Sequence, residues 1–166
     1  IYEGCLPELG VYNNFVYYFI KGVPDMFGNL PYTLRRHNGT SGGFVKNLAT
    51  TSSNATNIPK FFGVVNNQLL FTADGTIIVN GNNVNSGMEL WKTDGTSGGT
   101  IIVKDINPET SSNFPPGPFV SGKSSITYGT QMIPRYIIHN NTLYFGADNG
   151  ANGRELWKSD GTEAGT

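Results

Sequence analysis

Apolar residues in this chain come in short runs, and the same polar punctuation interrupts them three times. GVYNNFVYYFI, FGVVNNQLLFTAD and YIIHNNTLYFGAD each set an Asn-Asn pair between two apolar stretches, at Asn13-Asn14, Asn66-Asn67 and Asn140-Asn141. Asn tolerates positive φ better than most residues, so each pair predicts a tight two-residue hairpin of the I′ type. A second hairpin is expected farther along each unit. Residues 89–100 read ELWKTDGTSGGT, residues 155–166 read ELWKSDGTEAGT, and an eroded copy, LRRHNGTSGG, fills 34–43. In their centres Asp can bond its own backbone, and Gly supplies left-handed conformations without a Cβ clash. Two hairpins in series make four antiparallel strands. The second unit predicts strands at 61–65, 68–73, 88–92 and 100–105. The first predicts 8–12, 15–20, 32–36 and 44–47, and the third 135–139, 142–147 and 154–159. No run of about 10 residues has helical apolar spacing, so helix should be scarce.

Asn38, Asp94 and Asp160 hold equivalent places in the repeat, 56 and 66 residues apart. Periods of this size point to one supersecondary unit used several times, as in propeller blades. The expectation is a single all-β domain over 1–166, with units at about 1–56, 57–118 and 119–166. Each unit is a four-stranded antiparallel sheet of propeller-blade type, the last one incomplete. Three units are few for a propeller, so a threefold β-trefoil or β-prism is the alternative. The third unit stops before its fourth strand, which leaves the edge at 155–159 without a partner in sequence. A bare edge invites a cover. Residues 1–6 could supply it, or a neighbouring chain by strand addition, or further repeats of a longer chain. A first residue other than Met fits a processed or truncated product. Two insertions break the period. Residues 76–86 suggest an extended excursion or small extra hairpin, and 110–130, with Pro115, Pro116 and Pro118, a surface loop.

Composition narrows the partners. A net charge of −1 argues against nucleic acid or an anionic membrane surface as the main partner, since both call for a basic face. No apolar run approaches the roughly 18 residues of a membrane span. Cys5 is the single cysteine, so an internal disulfide is impossible. It reads as a small buried hydrophobe, with an intermolecular disulfide as the sharper alternative. Asn38, Asn54 and Asn140 stand in glycosylation sequons.

The candidate chemistry is sparse. Asp74 and Asp148, which follow the second strand of their units, are the candidates for calcium, a cation that takes six to eight oxygens. Asp94 and Asp160 read as turn residues, and Asn38 at the equivalent place supports this by keeping the turn bond without the charge. Trp91 and Trp157 read as core, or alternatively as stacking platforms for a sugar ring. Glu89 and Glu155 recur with the repeat, which keeps them apart, so a structural bond to backbone or Lys suits them better than paired glycosidase acids. His37 and His139 lack zinc-site spacing. There is no nucleophile elbow, and the Gly-rich stretches lack the Lys-Ser or Lys-Thr of a phosphate loop. With no residues to carry a reaction, the chain is expected not to be an enzyme.

From residue 61 onward the chain resembles a family of repeat proteins whose signature is close to G-x-ELW-x-SDGT-x-x-GT-x-x-VKDI-N-P with an upstream LYF-x-A-D. GRELWKSDGTEAGT, LYFGAD and ELWKTDGTSGGTIIVKDINP carry the match. The first unit departs from it: Arg35 stands at the Trp place, Asn38 at the Asp place, and the Glu is missing. The resemblance implies large, secreted or surface-attached, propeller-like proteins that mostly lack an assigned activity, and no catalytic residue carries over. The expected function is therefore a non-enzymatic structural protein, extracellular or at the cell surface, that self-associates through its open strand edge. The alternative is a lectin-like carbohydrate-binding module assisted by calcium.

Overall fold

The computed structural model describes residues 5–23, 31–48, 58–79, 82–108, 126 and 136–166. They form eleven strands and no helix: β1 (Cys5–Tyr12), β2 (Phe15–Lys21), β3 (Tyr32–His37), β4 (Gly42–Leu48), β5 (Lys60–Val65), β6 (Gln68–Val79), β7 (Asn82–Thr93), β8 (Ile101–Lys104), β9 (Tyr136–His139), β10 (Thr142–Asp148) and β11 (Arg154–Ser159). Aromatic and β-branched residues fill them, as a pleated, half-buried surface favours. Neighbours in sequence pair antiparallel. Sheet 1 runs β1-β2-β3-β4, sheet 2 runs β5-β6-β7-β8, and sheet 3 runs β9-β10-β11. No sheet closes into a barrel.

The turn chemistry acts as predicted. Asn13, Asn14, Asn66, Asn67, Asn140 and Asn141 all have positive φ, between 46° and 62°. The flanking residues pair directly, as Tyr12 with Phe15 and His139 with Thr142. A two-residue loop with both members at positive φ matches the right-handed twist of the flanking strands.

The insertion at 76–86 lengthens β6 and β7 into one hairpin of 12-residue strands, paired as far as Val79 with Asn82. Of the segment expected to be a surface loop, Ile126 alone is described, and there the expectation fails. Ile126 is buried, and its amide donates to Met88 O at 3.1 Å. An apolar side chain with a satisfied amide is better placed under the sheets than in water. The covering role considered for 1–6 fails at Cys5 and Leu6, which belong to β1, where Cys5 pairs with Ile20.

Sheet 2 lies between the other two. One core joins Tyr17, Phe19, Leu34 and Val45 of sheet 1 to Phe61, Leu69, Phe71 and Trp91 of sheet 2. A second joins Phe62, Leu70, Leu90 and Val103 of sheet 2 to Leu143, Phe145 and Ala147 of sheet 3. Alternate residues of β6 therefore serve opposite cores, as the period of two requires. In sheets 1 and 3 burial alternates along β2, β3 and β10, as Thr142–Asp148 shows. Each fully buried Leu or Phe contributes about 1.5–3 kcal/mol of burial. First strands meet first strands, β1 against β5 and β5 against β9.

Candidate functional site

The twice-repeated DGT phrase builds a compact polar turn. In the second unit Asp94 Oδ1 accepts from the Thr96 amide and hydroxyl, both at 2.8 Å. Thr96 Oγ1 accepts from the Gly99 amide at 2.9 Å. Thr100 Oγ1 donates to Thr96 O at 2.6 Å and meets Thr93 Oγ1 at 2.7 Å. Because the Thr100 proton is committed to Thr96 O, Thr93 is the donor between the two hydroxyls. Thr93 Oγ1 in turn accepts from the Gly95 amide at 2.9 Å. Both hydroxyls are buried and satisfied, the condition under which a polar network holds a single geometry.

The third unit repeats this bond for bond. Asp160 accepts from Thr162, Thr162 Oγ1 from the Gly165 amide, and Ser159 Oγ from the Gly161 amide. Ser159 Oγ meets Thr166 Oγ1 at 2.7 Å. The glycines have separate reasons. Gly95 and Gly161 sit at φ +92° and +86°, where a Cβ is strained. A Cβ on Gly99 or Gly165 would overlap the carboxylate of Asp94 or Asp160.

The first unit keeps the turn with other atoms. Asn38 Oδ1 accepts from the Thr40 and Ser41 amides at 3.1 and 2.8 Å. His37 Nδ1 accepts from the Gly39 amide at 2.9 Å, the task of Thr93 and Ser159 elsewhere. For that bond the ring must carry its proton on Nε2.

The turns of the second and third units are seated on the preceding sheet by basic side chains. Lys46 Nζ, on β4, donates to Ser97 O at 3.1 Å and Thr100 O at 2.7 Å. Lys104 Nζ, on β8, donates to Glu163 O at 3.5 Å and Thr166 O at 2.6 Å. The two lysines make the same bonds one unit apart. Lys92 Nζ reaches Gly161 O at 2.9 Å. Arg36 holds the corresponding place one unit earlier, where a Cβ on Gly95 would strike its guanidinium. Sequence reasoning missed this contact between units, although its signal was present: the Val-Lys of 45–46 recurs at 103–104.

The turn's own donors tune the carboxylates, and one base adds to each. The Thr96 amide, then its hydroxyl, hold Asp94 below the usual carboxylate range, and Arg36 acts in the same direction. For Asp160 the Thr162 hydroxyl comes first, then the amide, with Lys92 adding to them. Asp105 behaves oppositely. Burial pushes its carboxyl up against the pull of the Asn107 amide, and Oδ1 is buried with no hydrogen-bond partner among the described residues.

The remaining candidates are dispersed. Asp74 is buried at 1% exposure in β6, and Asp148 Oδ1 accepts from the Gly150 amide at 2.7 Å. Among the described residues no group of three or more His, Cys, Asp and Glu gathers as a metal site would require. Trp91 is buried, stacked on Phe71, with its indole N–H donating to Ala73 O at 2.9 Å. Trp157 is partly buried against the second core. Glu89 is fully buried, and its Oε2 accepts from the Ile106 amide at 3.1 Å, while Glu155 is exposed. Asn140 is exposed in its hairpin turn, Asn38 is half-buried with its Oδ1 engaged, and Asn54 lies outside the described residues. Among the described residues no helix is long and apolar enough to cross a membrane.

No protein-family model, curated protein or solved structure matches the chain.

Proposed function

We propose that this chain is a non-enzymatic structural protein, extracellular or cell-surface, built from propeller-type blades of the ELWxxDGTxxGT family and used for self-association. Support for blades comes from sheet 2, which has apolar residues on both faces and a sheet packed on each. A β-prism turns one face of every sheet inward to a shared centre, and a β-trefoil needs a barrel. Face-to-face stacking with adjacent first strands suits blades better than either.

The observation that carries the functional reading is the edge of β11. Its equivalents β3 and β7 pair outward with β4 and β8, whereas β11 has no outer neighbour among the described residues. Unpaired N–H and C=O groups in a row are a template for another strand. The polar machinery of the repeat is spent on holding turns and on joining units. Size-exclusion chromatography with light scattering over a wide concentration range tests the reading. Assembly that grows with concentration supports it, and a monodisperse monomer at the highest concentration sinks it.

A further inference from the structure

Leu34, Leu90 and Leu156 occupy one position of the repeat, three residues after which comes the His37, Thr93 or Ser159 that anchors the turn. Leu34 and Leu90 are completely buried, each covered by the following sheet, while Leu156 is 78% exposed. On the same outer face of sheet 3, Ile137 and Lys158 flank Tyr144 across the strands and are exposed. Lys158 is the counterpart of Lys92, whose ammonium seats on Gly161 O. Sheet 3 thus displays the counterparts of Leu90 and Lys92, two of the groups that sheet 2 uses to hold its successor.

The opposite end of the molecule displays the complement. In sheet 2 the row Phe61, Phe71, Trp91 and Ile102 runs across paired strands and packs on sheet 1. In sheet 1 the corresponding row is Leu9, Tyr18, Arg35 and Phe44. Phe44 is 56% exposed there, and Val11, one row along, is 68% exposed. The turn on that side is also unoccupied. A Cβ on Gly95 or Gly161 meets side chains of the preceding sheet, whereas one on Gly39 meets nothing within 4 Å.

We propose that the outer face of sheet 3 receives the outer face of sheet 1 from a second copy of this chain. The joint repeats the part of the internal contacts made by the third strand, with Leu156 covered by the row through Phe44 and the Lys158 ammonium on the Gly39 carbonyl; the seat that Lys46 and Lys104 give from β4 and β8 has no counterpart among the described residues. The inference rests on the self-association reading and adds to the β11 edge a second surface for it. Asn38 lacks the charge of Asp94 and Asp160, so the joint between copies is weaker than the joints within one. A head-to-tail contact can close into a ring or continue as an open row of copies.

The test uses the whole chain with Leu156→Glu, with Phe44→Glu, and with the two variants mixed. Both positions are exposed in one copy, and circular dichroism checks that the variants fold. Each variant alone is expected to weaken association about tenfold or more, because an apolar contact is replaced by a buried charge. Mixing them should recover a heterodimer through the one intact joint, which a head-to-tail contact allows and a self-complementary patch does not. Larger assemblies that dissolve with Leu156→Glu would support the docking face and remove ring closure. Association that survives both substitutions would overturn the face while leaving the β11 edge as the joint. A wild-type chain that remains monomeric would overturn both.

Discussion

β7 and β11 carry the same four letters, ELWK, at 89–92 and 155–158, and lead two different lives. Leu90 is fully buried and Leu156 is exposed; Glu89 is buried on the Ile106 amide and Glu155 stands in water. The backbone is the same, an antiparallel strand ending in the same hydroxyl-held turn. The two differ in their neighbours. β7 has β8 beside it and a sheet on either face, whereas β11, among the described residues, is an edge strand with one face covered. Local chemistry sets the strand and the turn, and neighbours set what each side chain is worth.

The largest separation should appear between Leu90→Ala and Leu156→Ala, measured by chemical denaturation at a concentration where copies do not associate. Leu90→Ala opens a cavity in the second core and is expected to cost about 2–5 kcal/mol. Leu156→Ala, at a surface position, should stay within about 0.5 kcal/mol. Equal costs would mean that the outer face of sheet 3 is covered in the monomer.

A smaller difference is expected between Lys104→Met and Lys158→Met. Lys104→Met keeps the aliphatic stem and removes the ammonium from Thr166 O, a charge-assisted bond worth about 1.5–3 kcal/mol. Lys158→Met should be near neutral in the isolated copy, within about 0.5 kcal/mol. A neutral Lys104→Met would show that the basic seat on the turn is incidental to joining units.

The smallest effect concerns pH. Asp94 and Asp160 have folded pKa values lowered below their unfolded ones, so their contribution is present above about pH 4 and fades as pH falls through the folded values. Asn38 has no carboxyl to protonate. Hydrogen exchange at the Thr96 and Thr162 amides should accelerate below about pH 4 beyond the intrinsic trend, while the Thr40 amide follows that trend. Parallel behaviour of all three turns would show that the carboxylate charge adds nothing to the amide bond.

Much of the fold was legible because the signals were local. The Asn-Asn pairs require positive φ, and Asp, Gly and Thr in fixed order complete a turn from their own atoms. Neither depends on what lies across the sheet. The role of Asp94 and Asp160 as turn residues was legible for the same reason. Ile126 was not, since its burial depends on a bond to Met88 that no nearby pattern announces. Lys46 and Lys104 were hidden too, because their acceptors lie 54 and 62 residues ahead in sequence.

By itself, the sequence determined where the chain turns and that one unit recurs, since φ preferences and side-chain to backbone bonds act within a few residues. Tertiary structure alone decided which face of each sheet is covered, that sheet 2 is buried on both sides, and that Lys46 and Lys104 serve the next unit. Burial and long-range bonds depend on which sheet lies opposite, and identical words in β7 and β11 meet different surroundings.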